Sequence, residues 1–298
     1  MNVIDQYIGN RFAFYNGDSC EVLKELPDNS VHMSIFSPPF IDLYTYSDSD
    51  RDIGNCKSSE EFDIHLGFIA KELYRVMKPG RIICVHCMDM PAMKFKDGFI
   101  GAKDFAGELI QVFQKAGFVF HSRICIWKNP VTAMQRTKAL GLLHKQLKKD
   151  ACMCRQGFAD YVVVFRKDGV NEEPVTNTNE TFPVELWQKY ASPVWEDINQ
   201  SNTLQATSAR DAKDEKHICP LQLDVIERCI RLWTNPNDIV LTPFGGIGSE
   251  VYQALKMGRR GIGIELKPTY YRQAVRNCKN AEELKQASMF DEVLDEAS

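Results

Sequence analysis

Two short stretches of this chain carry residue types that could do chemistry. The first is Ser37-Pro38-Pro39-Phe40, directly after the apolar run VHMSIF. Two consecutive prolines cannot continue an interior strand, so the chain must leave a sheet there. The Ser37 hydroxyl and the Pro38 backbone carbonyl, with its φ fixed by the ring, are then two acceptors on one stiff corner. Such a pair suits an exocyclic amine. The amino group of cytosine or adenine is a poor nucleophile because its lone pair is delocalised into the ring. Accepting hydrogen bonds from both N–H groups localises that lone pair towards an incoming methyl group. Phe40 offers a flat face on which an extruded base could stack.

The second stretch is Pro243-Phe244-Gly245-Gly246-Ile247-Gly248, placed between a short apolar strand and a helix. Glycines in that position let the backbone approach a nucleotide-like ligand closely. Glu265 ends the next strand, where a carboxylate can accept protons from both ribose hydroxyls. NAD or FAD would account for this second stretch equally well, and so would a merely tight turn. The Pro-Pro corner is what favours a methyl donor.

Together the two motifs resemble those of the DNA amino-methyltransferases, the N4-cytosine and N6-adenine class, in the circular order of the β group. There the Pro-Pro loop precedes the glycine motif and the target-recognition region lies between them, the order seen here. Over its length the chain is similar to methylases carried by phages and prophages. The resemblance implies S-adenosylmethionine as cofactor and double-stranded DNA as partner. It implies that Ser37, Pro38, Pro39 and Phe40 are catalytic. It also implies that Asp18 holds the cofactor's adenine end, while His217, Pro220 and Leu221 line its methionine end. Thr242, Pro243, Phe244, Gly245, Gly246, Gly248 and Glu265 complete the implied cofactor site. Two departures stand out. The family's glycine motif begins Asp-Pro-Phe, and here it is Thr242-Pro243-Phe244, which removes the carboxylate expected to meet the cofactor's ammonium group. The catalytic loop begins with Ser, which within the family leans towards N4 of cytosine rather than N6 of adenine.

The elements that must position these residues alternate between strand and helix. FAFY is a short aromatic strand closed by Asn16-Gly17-Asp18, and SCEVLKEL has helical spacing. Residues 59–76 form a helix with Phe62, Leu66, Ile69, Leu73 and Val76 on one face. RIICVHC is a buried strand, residues 104–116 a helix, and FVFHSRICIW and ADYVVVFRK two further strands. From Pro220 the alternation resumes through helix, strand, glycine turn, helix, strand and helix. This pattern implies a parallel sheet covered on both faces. The expected fold is one α/β domain over 1–298, Rossmann-like and of the S-adenosylmethionine-dependent methyltransferase type, mainly parallel with an antiparallel hairpin strand.

The formal net charge of −4 hides an asymmetry. Residues 121–167 hold ten Lys or Arg against two acids, whereas 168–216 hold ten acids against four bases. The basic insertion at 128–158 is too long for a hairpin turn and is the expected DNA-binding and target-recognition region. Its candidates are Lys128, Arg136, Lys138, Lys145, Lys148, Lys149 and Arg155. The acidic stretch reads as an irregular connection. No apolar run reaches membrane-spanning length and the N-terminus lacks a secretory pattern, so a cytoplasmic protein is expected. The spacing of the ten cysteines does not suit zinc, so no metal is expected. His86 and His121 read as structural histidines within or beside strands. Cys219-Pro220 has the wrong order for the Pro-Cys nucleophile of C5-cytosine enzymes. Methylation of RNA or glutamine, and a silent DNA-binding platform, are the rival readings. The oligomeric state, a homodimer included, stays open.

Overall fold

The computed structural model describes residues 3–39, 52–56, 58–92, 94–137, 142–204 and 220–296; for residues 96, 136, 137 and 285–296 only the backbone is described. In chain order the elements are β1 (Asp5–Ile8), β2 (Phe12–Asn16), α1 (Ser19–Lys24), β3 (Val31–Phe36), α2 (Ser59–Val76), β4 (Met77–Met88), β5 (Met90–Ala92), α3 (Lys94–Asp97), β6 (Gly101–Lys103) and α4 (Phe105–Lys115). They continue with β7 (Val119–Ile126), α5 (Pro130–Thr137), α6 (His144–Lys149), β8 (Asp160–Arg166), α7 (Val184–Tyr190) and β9 (Val194–Trp195). The last are α8 (Leu223–Trp233), β10 (Ile239–Thr242), α9 (Ser249–Lys256), β11 (Arg260–Glu265) and α10 (Pro268–Glu296).

Among the described residues, nine strands join one sheet in the order β1-β2-β11-β10-β3-β4-β8-β7-β9. The central five, β2, β11, β10, β3 and β4, are mutually parallel. β8 runs antiparallel to both β4 and β7, so the hairpin strand expected to run against the sheet does so. This is the mainly parallel α/β fold that the strand–helix alternation implies.

Local sequence explains the elements that carry the site. Asp18 caps α1 by accepting from the Cys20 N–H at 2.8 Å. Ser58 caps α2, its hydroxyl accepting from the Glu61 N–H at 3.2 Å, a Ser-x-x-Glu start. Phe62, Leu66, Ile69, Leu73 and Val76 of α2 are buried, each contributing roughly 1.5–3 kcal/mol. They pack with α1 and α4 on one face of the sheet, while Val225, Ile226, Cys229 and Ile230 of α8 cover the other.

The acidic stretch is more ordered than its composition suggests. It contains α7 and β9, and β9 extends the sheet parallel to β7. Trp195 is fully buried and its indole N–H donates to the Tyr190 carbonyl at 3.2 Å. The Arg228 guanidinium lies over the rings of both Tyr190 and Trp195 and pairs with Asp197 at 2.7 Å. A two-residue strand has no readable periodicity. One buried indole and one arginine hold the segment instead.

All parallel strands end on one edge, and β10 and β3 lie side by side there. β10 continues through α9 to β11 on one side, whereas β3 continues through α2 to β4 on the other. Ligands of open α/β sheets bind where connections diverge in this way.

Candidate active site

The corner after β3 and the corner after β10 meet at that divergence. Both border one cavity of about 330 Å³, whose walls include Ser37, Pro38 and Pro39 from the first and Pro243, Phe244, Gly245 and Gly246 from the second. The size matches small-molecule and cofactor sites. The Phe36 and Phe244 rings pack 5.6 Å apart behind the wall, and Ser19 Oγ donates to the Pro243 carbonyl. Asp18, Pro220, Leu221 and Glu265 also line the cavity.

The glycine corner is built for close approach. Gly246 and Gly248 have φ of +49° and +87°, which side-chain-bearing residues rarely adopt. At Gly245 a Cβ would sit 2.5 Å from the Phe14 ring and 3.1 Å from the Ile264 carbonyl. Glu265 is locked in place: Oε2 accepts from the Gly246 N–H at 2.7 Å and Oε1 from the Lys267 N–H at 2.8 Å. Burial pushes its carboxyl up to about 7, against those N–H bonds. Glu250, in the first turn of α9, is a second buried carboxyl on the cavity wall, pushed up to about 8 by burial and by the charge of Glu265.

Thr242 is wholly buried in β10 and does not line the cavity, and its Oγ1 has no hydrogen-bond partner. Gly248 also stands behind the wall, packed against Ala274 and Cys278. Phe40, Lys138 and His217 lie outside the described residues, as does the side chain of Arg136.

Ser37 has neighbours that its sequence context did not announce. Its Oγ donates to the His86 carbonyl at 3.2 Å and lies 3.2 Å from His86 Nδ1. On the far side of that ring, Nε2 stands 3.3 Å from Asp160 Oδ2. Asp160 Oδ1 in turn pairs with Lys128 Nζ at 2.5 Å. Lys128, expected on the DNA-binding surface, is instead drawn inward, because a buried carboxylate needs a counter-charge. Burial alone would raise the Asp160 carboxyl, but His86 and Lys128 outweigh it and hold it below the usual carboxylate range. Strand register explains the meeting: Phe36 pairs with Val85, and Met88 with Asp160. The one available signal was a histidine two residues before the end of a strand, which sequence alone cannot aim.

The remaining basic candidates behave differently. Lys145, Lys148 and Lys149 are exposed on α6, and Arg155 stacks over Phe158 with its guanidinium carbon 4.0 Å from the ring centre. At the opposite edge of the sheet His32, Glu173 and Asp238 cluster, but Lys78 and Arg81 pair with the two acids.

A glycine corner, a ribose-directed acid and a second corner across a topological divergence define an S-adenosylmethionine-dependent methyltransferase of the Rossmann-like class. The family model described as DNA methylase (N6_N4_Mtase) matches residues 31–276, and the chain belongs to that family. It is 26% identical over 272 residues to the Type II beta methyltransferase M.BslI of Bacillus sp. (strain NEB-606), covering 88% of this chain but 27% of that protein. It is 24% identical to the Type II methyltransferase M.MjaI of Methanocaldococcus jannaschii, covering 89% and 90% of the two chains. Among solved structures, TTHA0409 of Thermus thermophilus, a DNA modification methylase by its description and complexed with S-adenosyl-L-methionine, superimposes with a TM-score of 0.66 at 23% identity over 92% and 96% of the chains. The cytosine-N4-specific PvuII DNA methyltransferase gives 0.66 at 20% identity over 93% and 90%. These two likenesses are of fold.

Proposed function

We propose that this protein transfers a methyl group from S-adenosylmethionine to the N4 amino group of a cytosine flipped out of duplex DNA. The observation that carries the reading is the shared cavity: the Ser37 hydroxyl and the Gly245-Gly246 backbone border one space.

The residues present fit the cofactor. Gly245 leaves a cradle that a Cβ would fill, and Glu265 presents a carboxylate held by two backbone N–H groups. In this reading Glu265 accepts the ribose hydroxyls, Asp18 lies towards the adenine, and Pro220 and Leu221 flank the methionine chain. Thr242 cannot replace the family's aspartate, since it is buried off the wall; Glu250 supplies a carboxyl on that wall instead. The bound cofactor supplies an electrophilic methyl group on sulfur, which carries the chemical driving force.

The chain's own contribution is orientation. Ser37 Oγ and the Pro38 carbonyl accept the two amino protons of the base, and the fixed φ of consecutive prolines keeps both acceptors in place. Phe40 stacks on the base. Lys145, Lys148, Lys149 and Arg155 contact DNA phosphates, an electrostatic grip that weakens with salt.

Mass spectrometry of nucleosides from DNA treated with the purified protein tests this. N4-methylcytidine is expected. N6-methyladenosine alone would overturn the choice of base, and no methylated nucleoside would overturn the reading.

A further inference from the structure

An amino nitrogen that accepts a methyl group becomes positively charged and must lose a proton. Neither the Ser37 hydroxyl nor a peptide carbonyl is basic enough to keep it. A base within reach of Ser37 is therefore informative. His86 Nδ1 lies 3.2 Å from Ser37 Oγ, within the range for a nucleophile-like hydroxyl and its base. Asp160 Oδ2 stands 3.3 Å from the other ring nitrogen, and is almost wholly buried. A hydroxyl, an imidazole and a buried carboxylate thus stand in line, on three different strands or strand ends.

We propose that His86 receives the proton released on methyl transfer, acting through Ser37 and positioned by Asp160. The inference rests on the function proposed above. The base N–H bond breaks and its electron pair returns to the amino nitrogen, leaving a neutral methylamino group. That proton bonds to Ser37 Oγ while the Ser37 O–H proton passes to His86 Nδ1. The imidazolium is left facing Asp160, and its proton passes to water once the product base has departed. In the receptive tautomer Nε2 carries the hydrogen towards Asp160 and Nδ1 is bare. The same hydroxyl has the His86 carbonyl as a second acceptor at 3.2 Å, so one residue aims Ser37 whichever bond forms.

The groups that face His86 come from several elements. Asp160 comes from β8, Ser37 from the corner after β3, and Lys128 from the segment after β7, pairing with the far oxygen of Asp160 at 2.5 Å. Two residues along the same strand face, the Cys84 thiol is hydrogen-bonded with Cys229 of α8 and raised by burial. Lys128 thus balances Asp160 before transfer, and the imidazolium forms beside a carboxylate already tied down.

The test uses His86→Asn. Asparagine can place an amide oxygen near the position of Nδ1, so Ser37 keeps an acceptor but no group can take up a proton. Single-turnover transfer of tritiated methyl from S-adenosylmethionine to genomic DNA from methylation-free bacteria is followed from pH 5.5 to 8.5. Calorimetry reports cofactor affinity alongside. The wild-type rate should fall at acidic pH with a one-proton slope. His86→Asn should be roughly 100-fold slower or more, should lose that acid limb, and should bind cofactor within about threefold of wild type. Imidazole should restore part of the rate to His86→Gly. A His86→Asn enzyme that keeps the wild-type rate, or keeps the acid limb, overturns the inference while leaving the methyltransferase reading intact. A wild-type protein that transfers no methyl group overturns both.

Discussion

Cofactor affinity should depend on pH through Glu265, and the size of the effect follows from its surroundings. Burial lifts this carboxyl from an ordinary 4.5 to about 7, so the free protein holds a proton there that the unfolded chain would release. The ribose hydroxyls are donors and need the carboxylate. With a value of about 7, roughly one site in eleven is ionised at pH 6 and ten in eleven at pH 8, so affinity should rise about tenfold over that interval and level off above it. The sign is opposite to that of a carboxyl stabilised in its charged form, which would already be ionised at pH 6. Glu265→Gln keeps one acceptor but removes the charge. The loss of charge-assisted hydrogen bonds is worth roughly 1.5–3 kcal/mol, a weakening of about 10- to 150-fold at pH 8. Isothermal calorimetry with S-adenosylmethionine reads both quantities. The ligand's own amino group titrates equally in the two proteins, so the difference between their pH slopes belongs to the enzyme. Glu250, raised to about 8 partly by Glu265, titrates nearby, and Glu250→Gln isolates the Glu265 slope. A dissociation constant that is flat from pH 6 to 8, or a Glu265→Gln protein with the wild-type slope, would refute the assignment of Glu265 to the ribose.

Ser37→Ala should reduce single-turnover methylation by about 100-fold or more while changing cofactor affinity less than threefold, because the hydroxyl acts on the base. A collapse of cofactor binding in calorimetry would show that this corner belongs to a different ligand. Replacing Lys145, Lys148 and Lys149 together by Ala should weaken DNA binding and lower the slope of log affinity against log salt by about 3 if all three meet phosphates, at roughly 0.9 each; an unchanged slope in filter binding removes α6 from the interface. Gly245→Ala puts a methyl group 2.5 Å from the Phe14 ring. It should cost about 1–3 kcal/mol in urea melts. Trp195→Ala should destabilise by about 3–5 kcal/mol, since β9 and its partners hang on that one indole.

Much of this molecule is determined by local sequence. Ser58 followed by Glu61 starts a helix, Phe62 to Val76 faces it inward, and Pro38-Pro39 ends a strand, all through interactions within a few residues. Alternation of such elements with short connections dictates a parallel sheet, and a parallel sheet gathers strand ends on one edge. That is why Ser37, Gly245 and Glu265 could be assigned to one site from order alone. What surrounds Ser37 is a different matter. His86 and Asp160 reach it only because Phe36 stands opposite Val85, and Met88 opposite Asp160, pairings between segments far apart in the chain. A shift of one residue in either register would turn His86 or Asp160 to the other face of the sheet. Lys128 likewise read as a surface charge until a buried carboxylate was placed beside it, and Trp195 as part of an acidic connection until the edge of β7 accepted it. Identity of side chains sets which groups are available; only the packing of distant strands decides which of them meet.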